Sequence, residues 1–446
     1  MAAADLAVVR TPAEEAIVER YSAFKAGQQH WGGVAVERLR EQGFAALKTR
    51  GLPNRRVEEW KYTDLKALMP QLAERFDGLS QELIERAARM RPHLATPDAT
   101  RILFVNGRSV ATPQEEGFVY GSVAQGDDPR PQTAAVISRE RDYADNAAVA
   151  LNSAFMDDWV FLRVPAGTKL DKPLHLEFRE IADKAFATYP RVLIVVEDGA
   201  SATVIETHDG PDGVAYQTNG LIEFEIGNGA RVEHVAMNAA GDKALALSTV
   251  AARLGRDARF ATLAMTTGAA VSRQQLFLTF QGEGSEAQVR GATMLRRKQH
   301  CDSTLVITHA APHCLSRETF KTVLDEEARG VFQGKIIVAP GAQKTDGKMA
   351  AHTLLLSETA EANSKPELEI FADDVVCGHG ATTGSLDENL KFYLMARGIP
   401  EQDAEALLIE SFVAEGVDSV EDEALREALM DVARGWLTAR GQAMVK

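Results

Sequence analysis

The sequence predicts a mainly β chain: a solenoid core set between helical N-terminal and C-terminal segments. Three observations carry that prediction. After Asp157, short runs of β-forming residues recur at intervals of roughly 10–15 residues, separated by turn residues. The turns themselves repeat: Gly199-Ala-Ser-Ala-Thr-Val204, Gly229-Ala-Arg-Val-Glu-His234, Gly255-Arg-Asp-Ala-Arg-Phe260 and Gly284-Ser-Glu-Ala-Gln-Val289 stand at offsets of 30, 26 and 29 residues. A period of ~20–50 residues belongs to chains whose units bury their inward side chains only by stacking on neighbours. Apolar residues three and four apart mark both ends of the chain as helical. A sandwich or barrel of similar hairpins uses the same turn chemistry and is the alternative architecture.

Thr11-Pro12-Ala13-Glu14 reads as a capping box with proline at the first helical position, and Ala13, Ile17, Tyr21 and Phe24 share the face that follows. A second helix is predicted from Ser80, with Leu83, Ile84, Ala87 and Ala88 together. Between them, Gly51-Leu52-Pro53 and Glu58-Glu59-Trp60-Lys61-Tyr62-Thr63-Asp64 read as a segment pinned by its aromatic residues. Strands are predicted at 101–105 and 159–164, with one short helix within 135–156. Further strands are predicted at 174–178, 191–196, 202–206, 221–226, 231–237, 259–264, 275–281, 304–308, 335–338 and 367–371.

The helical period returns after Gly384. Leu386, Leu390, Tyr393 and Leu394 share one face, and Arg397-Gly398-Ile399-Pro400 ends that helix. A second helix covers about 401–414. Asp418-Ser-Val-Glu421 reads as the start of a third, with Leu425, Ala428, Leu429, Val432 and Trp436 as its stripe. Three such short helices need a partner surface, on the β unit or on another protein. The predicted domains are 1–98, helical; 99–382, the β core; and 383–446, helical.

The 446 residues carry 49 basic and 64 acidic side chains, a net charge of −15. That balance argues against nucleic-acid binding, which needs a basic face for phosphates. Cys301, Cys314 and Cys377 are the only cysteines, too few and too dispersed for a disulfide scaffold or a self-contained four-cysteine site. No apolar stretch approaches the ~20 residues of a membrane span. Met1 to Val9 lacks a basic n-region before a hydrophobic core, so the expected compartment is the cytoplasm.

Nucleotide and hydrolase signatures are missing. Gly330-Val-Phe-Gln-Gly334-Lys335 comes nearest to a Walker loop but has the wrong spacing and no following Ser or Thr. Three clusters could bind something. His309-Ala-Ala-Pro-His313-Cys314 brings together metal-ligand residue types, although Pro312 breaks a helix; a strand end and turn with exposed histidines is the simpler expectation. Arg296-Arg297-Lys298 reads as a solvated basic face. Cys377-Gly378-His379 is sharper, because residues i and i+2 of an extended segment project to the same side. A carboxylate from Asp373 or Asp374 could orient the imidazole. Two donors are too few for a closed metal site, so further ligands would come from elsewhere; a buried structural cysteine beside a turn histidine is the alternative.

The stretches Pro366-Glu-Leu-Glu-Ile-Phe371, Cys377-Gly-His379-Gly-Ala-Thr-Thr-Gly384 and Phe392-Tyr393-Leu-Met-Ala-Arg397-Gly398 closely resemble the SufB/SufD family of iron–sulfur cluster assembly proteins. Phe332-Gln-Gly-Lys-Ile-Ile-Val338, Ala342-Gln-Lys-Thr-Asp346, Leu354-Leu-Leu-Ser357, and Pro53 and Arg55 with Glu59-Trp60-Lys61-Tyr62-Thr63 extend the resemblance over about residues 50–415. Cys377-Gly-His379-Gly-Ala-Thr is similar to the family's D component, with Gly378 where serine is usual.

The resemblance implies a right-handed parallel β-helix core flanked by helical domains. It also implies a non-catalytic scaffold subunit that pairs with a SufB-like paralogue and docks a SufC-like ABC ATPase through its C-terminal helices. Phe392, Tyr393, Arg397 and Gly398 are the implied ATPase contacts. His379, with Cys377 beside it, is the implied donor to a nascent iron–sulfur cluster shared with SufB. Iron or cluster would be held transiently at that interface, with nothing tightly bound by this chain alone. A homodimer in the absence of the paralogue is a further expectation. The rival reading is a β-solenoid enzyme acting on polysaccharide, which would want several acid or base groups converging on a groove. Residues 387–446 hold six basic and 13 acidic side chains, so the ATPase surface that meets them is expected to be comparatively basic.

Overall fold

The computed structural model describes residues 10–27, 33–96, 98–110, 113, 115–126, 141–156, 158–181 and 183–444. Met1 to Val9 and residues 135–140 of the predicted 135–156 segment lie outside them. Two ten-stranded sheets run the length of the core. The first passes from Thr100–Val105 through Leu174–Arg179, Ser201–Asp209, Arg231–Ala239, Arg259–Thr266, Glu286–Leu295, Leu315–Leu324 and Asp346–Leu355 to Val376–Gly384. The second passes from Asp158–Val164 through Pro190–Val196, Gln217–Ile226, Leu245–Leu254, Val271–Phe280, His300–His309 and Arg329–Val338 to Glu361–Ile370. Successive strands of the chain alternate between the sheets, and these ladders are parallel, so the core is a β-solenoid.

Stacking explains the repeat. Val204, Val232, Phe260, Ala287 and Val289 face a largely apolar lumen together with Ile194, Phe224, Leu278 and Ile307 of the other sheet. Gly199, Gly229 and Gly284 take left-handed φ of 67°, 65° and 73°, which explains glycine at those turns. Gly255 differs. The left-handed residue of its turn is Asp257, and a Cβ on Gly255 would come within 3.0 Å of the Asn228 backbone, so close approach selects glycine there. Polar side chains tie the turns together: Asn228 N–H donates to Asp198 at 2.7 Å, and Arg256 N–H donates to Asn228 at 2.9 Å.

Helices close the flanks. They are α1 (Pro12–Gly27), α2 (Gly33–Arg50), α3 (Leu65–Leu68), α4 (Gln81–Arg89), α5 (Ala147–Phe155), α6 (Glu388–Ala396), α7 (Glu401–Val417) and α8 (Glu423–Met444). The predicted capping box forms, with Thr11 N–H donating to Glu14 at 2.7 Å, and Ser80 accepts from Leu83 N–H at 3.3 Å. Helix α2 is additional to the predicted helices, and α8 starts later than predicted: its Leu425 N–H donates to Asp422 at 2.8 Å, so Asp422 caps it rather than Asp418.

The aromatic segment is pinned, as expected. The Arg273 guanidinium lies 3.8 Å from the centroid of the buried Trp60 ring and donates to Glu59 O at 2.7 Å, and Thr63 donates to Asp302. At the other end, Ile409, Val413, Leu429 and Trp436 pack on Met237, Met265, Met294 and Val323 of the first sheet. Burying each such side chain contributes about 1.5–3 kcal/mol. The β unit therefore supplies the surface that α7 and α8 need. Helix α6 has no fully buried residue. No helix among the described residues is long and apolar enough to cross a membrane.

Candidate functional site at the terminal rung

Val376–Gly384 is the last strand of the first sheet. It pairs in parallel with Asp346–Leu355 on one side, and among the described residues its other edge has no partner strand. Gly347 stands beside Cys377, and Met349 beside His379. Met349 faces the lumen, so both candidate donors lie on the lumen face of the terminal strand, as the i, i+2 argument predicts. Cys377 is half-buried against the core and His379 is exposed. A Cβ built on Gly378, Gly380 or Gly384 meets nothing within 4 Å. An unpaired, uncovered edge is a template for another strand.

Partial burial pushes the Cys377 thiol up, and the Asp346 and Glu318 carboxyls add to the shift. The thiol is therefore not an activated nucleophile by itself. A cation has to displace its proton before it becomes a ligand. Asp374 does not orient His379 as the sequence suggested; it is ion-paired with Lys344, because the turn between the sheets brings those two together.

Beneath the terminal rung the lumen is polar. Ser316 lies two strands below Cys377 with only Gly347 between, and Glu318 lies two strands below His379 with Met349 between. Ser316 Oγ shares a hydrogen bond with His309 Nε2 at 3.0 Å. Among the described residues, His309 Nδ1 and both Glu318 carboxyl oxygens are buried without a hydrogen-bond partner. Burial pushes the Glu318 carboxyl up to about 8, against the pull of Ser316 and Arg317, so it is mostly neutral at pH 7. Burial lowers His309 to about 4, so its imidazole is also neutral.

The 309–314 segment is a strand end and turn, as the simpler expectation has it, but His309 is buried rather than exposed, and His309, His313 and Cys314 do not converge. His309 is fully buried and stacked on Phe280 at 4.4 Å, His313 sits exposed on the outer turn with φ 58°, and Cys314 Sγ donates to Gly282 O at 3.3 Å. A parallel rung sends the strand end inward and the turn outward, which separates them. Among the described residues, no three His, Cys, Asp or Glu side chains are arranged to hold a metal ion.

Two family profiles cover nearly the whole chain. The SufBD protein N-terminal region matches residues 13–176, and the SUF system FeS cluster assembly SufBD core domain matches residues 178–412. The chain belongs to the SufB/SufD family of iron–sulfur cluster assembly proteins. It is 30% identical to the iron–sulfur cluster assembly protein SufD of Escherichia coli over 394 residues, which is 87% of this chain and 90% of that one. It is 31% identical over 399 residues to a SufBD family protein of Synechocystis, with 85% and 87% covered. The Bacillus subtilis SufD is 28% identical over 294 residues, with 65% and 66% covered.

The expected ATPase contacts lie on α6 and at its C-terminal end, directly after the terminal rung. Phe392 is 72% exposed and Tyr393 54%, with the Arg397 guanidinium 5.0 Å from the Tyr393 ring centroid. Gly398 takes φ 90° and ends the helix, as predicted. Ile370, Phe371 and Val376 of the last turn are exposed as well. The basic turn Arg296-Arg297-Lys298 does not face open solvent alone; it lines a cavity against α8.

Proposed function

We propose that the chain is a non-catalytic scaffold subunit of iron–sulfur cluster assembly. It pairs with a SufB-like paralogue through the terminal rung and docks a SufC-like ATPase through α6 and α7. One observation supports this reading above the others: Cys377 and His379 project together from a strand whose outer edge and glycine face are uncovered. Two donors leave the remaining coordination positions to a second chain. Neutral imidazole and thiolate both suit iron, and the cluster is transient cargo of the shared interface rather than a resident group. Exposed Phe392 and Tyr393 next to an acidic helical segment supply an apolar centre with a charged rim for the ATPase. Three free thiols suit a reducing cytoplasm. When the paralogue is absent, the same edge is open to a second copy of this chain.

The test is co-purification with SufB-like and SufC-like chains. Lysine at Gly378 and Gly380 enters open space, so the fold should survive and pairing with the SufB-like chain should be lost. Replacing Tyr393 and Arg397 together with alanine should weaken ATPase binding by at least about tenfold, and binding of the unaltered chain should weaken with salt. A complex that forms undiminished with the two lysines present moves the pairing surface elsewhere.

A further inference from the structure

A cavity of about 1060 Å³ lies between α8, the solenoid turns and the segment 91–95. Its walls are small residues, among them Ala239, Ala240 and Gly268 of the solenoid and Ala428 and Gly435 of α8, with buried Trp436 beside them. Arg91, Arg296, Arg297 and Lys298 line it. In a chain of net charge −15, this concentration of cations is unusual.

The three acids in the same cavity are each held by another group and, among the described residues, none is ion-paired with these four cations. Asp212 accepts from Asp242 N–H at 2.9 Å, Asp242 accepts from Gly213 N–H at 2.7 Å, and Asp431 pairs with Arg434 at 2.9 Å. His93 is paired with Asp209 at 2.5 Å. Among the described residues, the guanidinium groups of Arg91, Arg296 and Arg297 have no carboxylate partner, and Lys298 has only an exposed contact with Glu327 at 3.5 Å.

The basic turn is also held in shape. Gln299 Nε2 donates to Thr267 O at 3.2 Å and Ala269 O at 3.0 Å, while its Oε1 accepts from Arg296 N–H at 3.0 Å. One side chain thus staples the turn to the strand connection beneath it. Arg297 is kept at φ 58°, a conformation that costs a non-glycine residue energy. The fixed turn presents Arg296 and Arg297 from a set backbone position, with exposed Arg91 across the cavity, and planar guanidinium forks bind oxyanions in bidentate fashion.

We propose that this cavity binds a small multivalent oxyanion, a phosphate ester or a polycarboxylate, with Arg91, Arg296 and Arg297 as its anchors. The volume is that of a small-molecule site. A ligand there would bridge α8 and the solenoid, so it would stiffen the docking of the C-terminal helices. The inference does not depend on the scaffold reading, since none of these residues belongs to the terminal rung or to α6.

Calorimetric titration of the full-length chain with pyrophosphate and, separately, with citrate tests it. Saturable one-to-one binding of either is expected; preference for pyrophosphate assigns a phosphate ester, and preference for citrate a polycarboxylate. The double variant Arg296→Ala, Arg297→Ala should weaken binding at least about tenfold. A Cβ on Gly435 meets nothing within 4 Å, so Gly435→Leu should fill the cavity and weaken binding without changing charge. Lys25→Ala, on the distant helix α1, should leave affinity unchanged. Absence of saturable binding by both anions, or binding that survives both the charge and the filling variants, overturns the proposal.

Discussion

The lumen holds two polar clusters built around a buried glutamate, and they behave in opposite ways. In the N-terminal half, Glu206 shares hydrogen bonds with His208 at 2.5 Å and His234 at 3.1 Å, and His234 passes the network on to Thr262 at 3.0 Å. Burial works against that carboxylate, but the two histidines hold it down at about 2. In the C-terminal half, Glu318 is equally buried, has only the weak pull of Ser316 and Arg317 against burial, and rises to about 8. Partners, not burial, decide which glutamate carries charge. The satisfied cluster lies among closed rungs. The unsatisfied one lies two rungs below Cys377 and His379, where the solenoid stops. The closed part of the lumen is finished by its own chain, and the terminal part is not.

Removing the satisfied carboxylate should have the largest effect. Glu206→Leu leaves the buried His234 and the half-buried His208 imidazoles without their acceptor and should lower stability by about 3 kcal/mol in urea unfolding at pH 7. An unchanged midpoint would show that the two clusters do not differ as described.

Glu318→Gln should act in the opposite direction. The folded pKa of Glu318 lies above its unfolded value, so its contribution to stability is complete below about 4.5 and is lost as pH rises through about 8. A neutral isostere should therefore add about 2 kcal/mol at pH 7.5 and almost nothing at pH 4. Equal effects at the two pH values would contradict a neutral Glu318.

His309 gives a smaller effect on the acid side. Its folded pKa lies below the unfolded value, so its contribution is complete above about 6.5 and is lost as pH falls through about 4. His309→Phe keeps a ring against Phe280 and should reduce the acid-induced loss of stability by about 1 kcal/mol at pH 4.5, read from the same unfolding curves.

The sequence made some of this legible and hid the rest for physical reasons. The apolar run Val192-Leu193-Ile194-Val195-Val196 announces its strand, whereas Leu245–Leu254, Glu286–Leu295, Leu315–Leu324 and Asp346–Leu355 do not. Those strands carry alanine, threonine and charged residues such as Glu318 and Lys321. Stacking between rungs sets their conformation, and single-sequence propensity does not contain it. Cys377 and His379 share a face by alternation alone, so the donor pair was readable. The cluster beneath them depends on register across three rungs. A signal for it exists, since Ser316, Gly347 and Cys377 stand 31 and 30 residues apart, matching the turn repeat. Helix α6 announced its apolar stripe, but only the structure shows that α7 and α8 are covered and α6 is left open.

The central claim is that the terminal rung carries half of a site completed by another chain. It is tested most directly by cluster formation on a complex of this chain assembled with SufB-like and SufC-like chains, comparing wild type with His379→Ala. His379 is exposed at the rung's lumen face, so its loss should leave the complex assembled and abolish cluster formation. An assembled variant complex that matures clusters at the wild-type rate would contradict the account.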